Sequence, residues 1–521
     1  MMKKPRLRNI LLILLGISFC WVLVCARAGG VISVPVILRR LSPYLLAFAV
    51  FGIALSSGRH LTHTIFFIAL CCYALVECGL GTAQLAGWAD SRHSFYHLTG
   101  NFPNPAPYAC FLGIASICCI VRLIRNEGCR YEKILTGVTL LWSLAMVVIA
   151  RSRAVWLGMA LALIVALMLE TGIWQRVRHR SLVACCVAAV SIAGCIGAWM
   201  LKPESAEVRF YTWQTDCLVI AEHPLTGVGP GAEMGAFADA QSEYFSRHVR
   251  CWRRQAAADT PQYPFNEFLR MGMACGIPGL LLAVAVFAIA LVLELRRRRL
   301  WAYSLIVLGV FGTFSYPLSQ MALSLLLVFA LADAVTLEEK PGGPSKAALA
   351  AALLLAAASV PFVRNEVRHR TEMAAFMKDH QDKVTDSDEL AAYYDELNDE
   401  PAYLTLYAKS LYDEGRYKAA LPVVGRLEKL KADAAVPVMR GEILKVTGDP
   451  SGAAQAYIKS YQTAPSRLTA LLFLMRLYDL YGLDEAALET GAFALSIPVD
   501  EKYTATMEVR RQIEDFLLAI D

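Results

Sequence analysis

Long apolar runs separated by short polar connections fill the first two thirds of the chain. A run of about 20 apolar residues, or as few as about 17, can cross a bilayer as a helix. The pattern predicts about eleven spans, at 10–24, 41–56, 62–81, 105–123, 133–150, 154–170, 181–200, 275–294, 301–318, 320–336 and 345–362. We therefore expect an all-α fold in which residues 1–362 form a polytopic transmembrane helical bundle.

Positive charge falls mainly in every second connection, which predicts the orientation of the spans. The arginines concerned are Arg125, Arg130, Arg176, Arg178, Arg180 and Arg296 to Arg299. Positive residues favour the cytoplasmic side, so these connections are expected inside, together with the basic N-terminus. Arg27, Arg39 and Arg40 are the exception, because the same count places them outside. The odd number of spans then puts the C-terminal region outside as well, beside connection 201–270.

From about residue 363 the apolar spans stop and a repeat of small residues begins. The recurring positions are Gly415, Gly448 and Gly482 and, five residues after each, Ala420, Ala453 and Ala487. A period of about 34 residues is typical of tetratricopeptide repeats. The glycine would end the first helix of each repeat, and the alanine would let the second helix pack closely. We predict that residues 363–521 form an α-solenoid of tetratricopeptide-like repeats, with an irregular helical bundle as the alternative.

Composition agrees with a membrane protein that carries a soluble part. Hydrophobic residues make up 56% of the chain and charged residues 18%, whereas soluble domains carry about 25% charged residues. The net charge of +5 does not indicate a nucleic-acid partner. Most of the 15 cysteines lie in apolar runs, where they act as small hydrophobes. Cys217 and Cys251 lie in connection 201–270, where a disulfide would require an oxidising compartment.

Connection 201–270 is the longest polar segment of the first two thirds, and its tryptophans, tyrosines and phenylalanines argue against disorder. A connection of this length is usually functional, so we expect an active-site loop. Gly227 to Gly231 provide a backbone that can approach a ligand closely. Asn266, Glu267 and Arg270 have helical spacing, so they share one face where the next span begins.

Two shorter polar clusters are predicted on the same side. Asn101 to Pro105 precede a span, where Asn and Pro are common helix-start residues. Arg151 and Arg153 lie in a connection of about four residues, on the side that disfavours positive charge. Their side chains either extend to lipid headgroups or bind an anion, since the planar guanidinium donates two parallel hydrogen bonds to phosphate.

The combination resembles the O-antigen ligase and polymerase superfamily, which includes bacterial protein O-oligosaccharyltransferases. The matching pieces, in order, are Asn101 to Pro105, Ser152-Arg153, Arg209 with Trp213, Glu222-His223-Pro224, Gly227 to Gly231, Asn266 to Leu269, and Gly276-Ile277-Pro278-Gly279. They cover roughly residues 95–295. The run from His223-Pro224 through Gly231, followed by Asn266 to Leu269, is the most specific of them.

The resemblance implies transfer of a glycan from a polyprenyl pyrophosphate carrier to an acceptor hydroxyl, without a metal, a cofactor or a nucleotide sugar. It implies that Arg153 and Arg209 hold the pyrophosphate, with Arg151 as a neighbour. The remaining expected substrate-binding residues are Trp213, His223, Gly229, His248 and Asn266.

One position departs from the family pattern. Many members have a histidine directly before the Asn-Glu/Asp run, proposed as the base that activates the acceptor, and this chain has Phe265. Phenylalanine cannot accept a proton. The base therefore lies elsewhere in the loop, or the departure of the pyrophosphate leaving group drives most of the reaction without a strong base. Asp259 and Glu267 are the first candidates, followed by His223 and His248.

We therefore expect a multi-pass glycosyltransferase of the bacterial inner membrane with a periplasmic C-terminal domain. Its partners would be the carrier-linked glycan, a lipid or protein acceptor, and envelope proteins that bind the repeats. A polymerase that joins repeat units remains an alternative, as does a non-enzymatic membrane scaffold. A transporter is disfavoured, because its spans would carry ionisable residues at mid-membrane.

Overall fold

The structure is a computed structural model that describes residues 4–93, 95–176, 197, 203–248, 251–336, 346–380, 386–498 and 504–520. Within these ranges the chain forms helices and no strands, which confirms the all-α prediction. Six helices are long and apolar enough to cross a membrane, and two shorter apolar helices accompany them. The span predicted at 181–200 lies, apart from residue 197, outside the described residues.

Thirteen α-helices precede the C-terminal region in the described part of the chain. They are α1 (Lys4–Gly29), α2 (Val34–Leu85), α3 (Pro105–Ile124), α4 (Arg130–Ala150), α5 (Arg153–Glu170), α6 (Ile173–Arg176), α7 (Pro203–Glu222), α8 (Glu233–Arg247), α9 (Trp252–Ala257), α10 (Glu267–Arg296), α11 (Trp301–Phe314), α12 (Met321–Val335) and α13 (Lys346–His380). A short 3-10 turn, Pro317–Ser319, joins α11 to α12. The sequence predicted a span over 301–318, so α11 ends four residues early. Pro317 is the reason, because the residues before a proline leave the helical conformation.

Helix α2 contains two of the predicted spans, folded back on each other at Gly58. Gly58 leaves the helical conformation (φ −173°, ψ 80°). The Thr62 hydroxyl donates to the carbonyl of Ala54 at 2.9 Å, and the rings of Phe51 and Phe66 lie 5.3 Å apart. In a continuous helix, residues 15 apart would be separated by about 22 Å. The two halves of α2 therefore run antiparallel as a helical hairpin.

Connections predicted to lie inside contact one another at one end of the bundle. Arg59 and Arg299 both pair with Asp333, at 3.4 and 2.8 Å. Arg125 pairs with Glu170 at 2.7 Å and donates to the carbonyl of Arg298. Helix α3 is buried along most of its length and forms the centre of the bundle. The remaining connections and the C-terminal region lie at the opposite end, called here the outer end.

The C-terminal region consists of short helices arranged as antiparallel pairs. They are α14 (Ser387–Ala391), α15 (Tyr394–Leu397), α16 (Pro401–Asp413), α17 (Tyr417–Glu428), α18 (Ala435–Val446), α19 (Pro450–Thr463), α20 (Thr469–Leu480), α21 (Asp484–Ser496) and α22 (Thr504–Ile520). Gly415, Gly448 and Gly482 follow α16, α18 and α20 with φ of 75°, 85° and 67°, a conformation that favours glycine. Ala420, Ala453 and Ala487 are fully buried. The roles predicted for both sets of small residues are thus confirmed, while their assignment to tetratricopeptide repeats stays a prediction.

Candidate functional site

Arg153 and Arg209 belong to different helices, and their charges lie near enough at the outer end to affect each other. Arg153 is the first residue of α5, and Arg209 lies in the second turn of α7. Burial lowers the pKa of Arg209, and the nearby charge of Arg153 lowers it further. The Arg209 Nε donates to the carbonyl of Phe314 at 3.2 Å. Two like charges held close together destabilise each other, and a bound anion would relieve that repulsion.

Arg151 differs from Arg153 and Arg209 in backbone conformation and in exposure. It ends α4 in the left-handed conformation, with φ 52° and ψ 36°, and its side chain is exposed. Arg153, two residues later, is half-buried at the start of α5. The positive end of the α5 dipole adds to the charge of Arg153. Of the two arginines in this connection, Arg153 is the more buried and the one whose charge lowers the pKa of Arg209.

Aromatic side chains surround Arg209. Its guanidinium lies 5.4 Å from the centre of the Phe265 ring. The indole N–H of Trp213 donates to the carbonyl of Phe265 at 3.3 Å. The Tyr263 and Tyr316 rings stack at 4.7 Å, and burial raises the pKa of Tyr316 to about 12, with Tyr263 adding to the rise. The sequence predicted Trp213 but not Tyr316, which we had placed inside a span.

The glycine run packs against backbone. The N–H groups of Val228 and Gly229 donate to the carbonyls of Met273 and Ala274, at 2.8 and 3.1 Å. These carbonyls precede Gly276, where α10 breaks with φ 68° and ψ −174°. A Cβ on Gly227 would overlap the Met273 carbonyl. The N–H of Gly229, predicted to bind substrate, is therefore already occupied, and the run locks the loop onto the broken helix.

The start of α10 is a network of buried polar groups. Asn266 caps the helix by accepting from the N–H groups of Phe268 and Leu269, at 2.9 and 3.1 Å. Glu267 pairs with Arg270 at 2.6 Å, as the helical spacing predicted. Its other carboxylate oxygen accepts from the N–H of Leu318 at 2.8 Å. Glu267 therefore binds the connection after α11 at Leu318, two residues after Tyr316.

Glu233 is a buried carboxylate that sequence analysis missed. It accepts from the N–H of Gly231 at 2.6 Å and lies 3.8 Å from Arg270. Burial raises the pKa of Glu233, although Arg270 and the Gly231 N–H oppose the rise. Its position two residues after the glycine run was the only signal in the sequence. The Arg270 guanidinium thus links the glycine run to the start of α10.

Three other predicted residues lie on exposed parts of the loop. The Asp259 carboxylate is exposed and pairs with Arg467 of the C-terminal region at 2.8 Å. His223 is exposed at the end of α7. His248 stacks on Tyr244 at 4.3 Å and bonds to the carbonyl of Tyr244. Cys217 and Cys251 are free thiols.

Helix α8 of the loop lies directly against the C-terminal helices. Gln241 is buried and donates to two carbonyls, that of Thr463 and that of Asp259. Asp239 pairs with Lys459 at 2.7 Å. A Cβ on Gly235 would overlap the backbone of Lys429, so glycine permits the close approach. The C-terminal region therefore helps to hold connection 201–270 in place.

The Asn101 cluster is anchored to a membrane helix. Glu77, fully buried in the second half of α2, accepts from the backbone N–H and the side-chain amide of Asn101, at 2.9 and 3.0 Å. Asn104 caps α3 by accepting from the N–H of Ala106, which is the helix-start role predicted from the sequence. This cluster thus fixes the outer connection from α2 to α3.

One group among the described residues has the spacing of metal ligands: His369, Asp399 and Glu400. Asp399 accepts from both Arg39 and Arg40, at 3.2 and 2.9 Å, and Arg40 also pairs with Glu400 at 3.3 Å. The two guanidinium groups already neutralise these carboxylates, so the group is an ion-pair network that joins α2 to the C-terminal region.

An apolar cavity of about 230 Å³ lies beneath the start of α10. Side chains of α1, α10, α11 and α12 line it, among them Trp21, Met271, Phe287 and Leu331. Glu267 and Leu318 also line it. These two residues also belong to the polar network at the start of α10, so the cavity borders that network.

The comparison with protein families agrees with this geometry. Residues 138–284 match the family model described as O-antigen ligase. No curated protein matches the chain. The matched residues include the arginine pair, the glycine run and the broken start of α10. The match supports the resemblance to the O-antigen ligase superfamily over this segment of the chain.

Proposed function

We propose that the chain is an O-antigen ligase-like glycosyltransferase. It moves a glycan from a polyprenyl pyrophosphate carrier to the hydroxyl of a lipid or protein acceptor, at the periplasmic face of the bacterial inner membrane. The observation that carries the proposal is the pair of Arg153 and Arg209, two half-buried arginines from different helices whose charges affect each other. A pyrophosphate fits that place because guanidinium groups bind phosphate oxygens through paired hydrogen bonds.

The reaction is a substitution at the anomeric carbon of the donor sugar. The acceptor oxygen forms a bond to that carbon while the bond to the pyrophosphate oxygen breaks. The electron pair of the broken bond leaves with the pyrophosphate, where negative charge increases. Arg153 and Arg209 stabilise that charge, and fixed charges act strongly when they need not reorganise during the reaction.

The acceptor proton needs a base, and Glu267 is better placed for it than Asp259. Glu267 contacts the connection that carries Tyr316 beside Arg209. The Asp259 carboxylate pairs with Arg467 of the C-terminal region. We propose that the acceptor proton passes to Glu267 or directly to the departing pyrophosphate.

The apolar cavity supports a lipid-borne donor. Apolar side chains of four helices line it, and it borders Glu267 and Leu318 at the start of α10. An isoprenoid chain would enter it while the pyrophosphate stays at the outer end. The C-terminal helices cover the loop and would face the acceptor, since paired helices present extended binding surfaces.

A test in cells uses single alanine substitutions. We expect Arg153→Ala and Arg209→Ala each to reduce glycan transfer by about 10²–10³-fold, the usual cost of losing one such donor. Arg253→Ala is the matched control, because Arg253 is an exposed loop arginine that pairs with Glu207. Normal transfer by stably inserted Arg153→Ala and Arg209→Ala variants would refute the enzyme and favour a scaffold. Product analysis separates the two enzyme types: long carrier-linked chains accumulate when a ligase is lost, and single units when a polymerase is lost.

A further inference from the structure

Five aromatic side chains lie beside Arg209 in two neighbouring groups, here together called the aromatic wall: Tyr263, Phe265 and Tyr316, and Trp213 with Phe314. Phe265 lies 6.2 Å from Tyr316, which stacks on Tyr263. Trp213 lies 5.8 Å from Phe314 and hydrogen-bonds to the backbone of Phe265. The wall is assembled from three segments distant in sequence: α7, the residues before α10, and the connection after α11.

Its position differs from that of ordinary interfacial aromatics. Aromatic residues at a membrane interface usually point outward to the headgroups. The rings of the wall instead pack on one another around a guanidinium, and Tyr263 keeps 38% of its surface exposed at the free edge. An exposed ring that continues a packed aromatic surface next to a cation is suited to a ligand with an anionic end and an apolar face.

A pyranose has such a face. The C–H groups on one side of the sugar ring carry partial positive charge, and the faces of aromatic rings carry negative charge. The hydroxyls at the ring edge can bond to polar tips such as the Tyr263 hydroxyl. In a carrier-linked glycan the first sugar is bonded directly to the pyrophosphate. It must therefore lie within about one ring width of the arginines that hold the diphosphate.

From this arrangement we infer that the aromatic wall is a binding subsite for the first pyranose of the donor. The inference rests on the proposed function. Phe265 acquires a role here: it lies between the Arg209 guanidinium and Tyr316, where it joins the phosphate site to the sugar site. A hydrocarbon ring at this position serves stacking, whereas the histidine of related proteins would serve proton transfer.

The test compares two carriers on the purified full-length protein. One is undecaprenyl pyrophosphate, and the other is the same lipid carrying one N-acetylhexosamine. Stacking depends on the face of the sugar ring more than on the pattern of its hydroxyls. A single hexosamine is therefore an adequate probe, although the natural sugar is not identified. We expect the wild type to bind the sugar-bearing carrier about three- to tenfold more tightly, the range of one aromatic stacking contact.

Substitutions of Tyr263, at the exposed edge of the aromatic wall, test whether the wall binds the sugar. Tyr263→Ala should remove the preference for the sugar and leave the affinity for the bare carrier unchanged, whereas Tyr263→Phe should keep the preference. Tyr131→Ala, which changes an exposed tyrosine in α4, should behave as the wild type. The subsite is refuted if the wild type shows no preference, if the preference survives Tyr263→Ala, or if Tyr263→Ala weakens both carriers equally. Failure of the proposed function looks different: Arg209→Ala would then leave the affinity for the bare carrier unchanged.

Discussion

Neutral groups help to orient the Arg209 side chain. The carbonyl of Phe314 and the ring of Phe265 contact the guanidinium, and both fix its direction without changing its charge. The charge of Arg153 lowers the pKa of Arg209. At the scale of single residues, the site therefore brings together two positive charges that an anionic ligand would bind.

Asp216 gives a prediction about pH. It is fully buried in α7, neither of its carboxylate oxygens has a hydrogen-bond partner within the described ranges, and burial raises its pKa well above the ordinary value. The folded protein thus binds this proton more tightly than the unfolded chain, whose aspartates titrate near about 4. Stability is then highest below that pH and falls as the pH rises toward the folded-state pKa.

Asp216→Asn removes this titration. We expect the variant to melt at the same temperature as the wild type near pH 4, and at a higher temperature at pH 7 to 8. Thermal unfolding of the detergent-solubilised protein across this range measures the difference. Asp479→Asn, at an exposed position of α20, is the control. A constant difference between Asp216→Asn and wild type at every pH would contradict the assignment.

Among the elements, the break in α10 and the glycine run depend on each other. Gly276 adopts a left-handed backbone, and a Cβ there would overlap the carbonyl of Leu225. The N–H of Ile277 donates to the carbonyl of Pro224 at 2.8 Å. The break thus exposes backbone groups that the loop then pairs, which fixes the loop against the start of α10.

Gly276→Ala should disrupt this lock. The backbone strain alone costs roughly 1–3 kcal/mol, and the overlap adds to it, so we expect a lower melting temperature and weaker glycan transfer. Gly137→Ala is the control, because a Cβ at this helical position has open space. Equal melting temperatures for the two variants would show that the break does not hold the loop.

The contact between α8 and the C-terminal helices gives a second prediction for an element. Gln241→Ala would leave the carbonyls of Thr463 and Asp259 without this donor, at a cost of about 1–3 kcal/mol. We expect faster hydrogen exchange of residues 233–247, while α3 exchanges as before. Glu243→Ala, which affects an exposed pair with Arg247 on the same helix, should leave exchange unchanged. Slow exchange in both variants would mean that the C-terminal region does not hold α8.

The sequence predicted structural features that depend on residues close together in the chain. It did not predict contacts between residues that are far apart in the chain. The ends of α16, α18 and α20 were predictable because glycine alone favours their backbone conformation. The start of α10 followed from the spacing of Asn266 and Glu267. The contact of Gln241 with Thr463 joins residues 222 apart, and no spacing reveals it. Tyr316 was missed because a run of apolar residues hid the end of α11, although Pro317 marked it.

For the whole molecule, the structure explains why Arg39 and Arg40 lie at the outer end, although positive residues favour the cytoplasmic side. Arg39 pairs with Glu366 at 3.1 Å and with Asp399 at 3.2 Å, in largely buried positions. Positive residues at the outer end of α2 are thus neutralised by carboxylates that follow more than 300 residues later. Paired charges of this kind tolerate burial, whereas a single unpaired charge does not. The C-terminal region therefore stabilises the first helices of the bundle.

Asp399→Asn tests this connection. It removes the carboxylate shared by two arginines, and breaking a buried pair costs about 3–5 kcal/mol. We expect a clear loss of folded protein in size-exclusion chromatography and a lower melting temperature. Asp395→Asn, at an exposed position nearby, should match the wild type. Identical behaviour of the two variants would show that the network does not join the two parts.

The most direct measurement is release of polyprenyl pyrophosphate by the purified protein, supplied with a carrier-linked glycan and an acceptor in lipid vesicles. The wild type should release the carrier in step with acceptor modification. Arg209→Ala should reduce the rate by about 10²–10³-fold, and Arg253→Ala should not. Equal rates in the wild type and Arg209→Ala would contradict the view that guanidinium groups at the outer end bind a lipid-borne diphosphate.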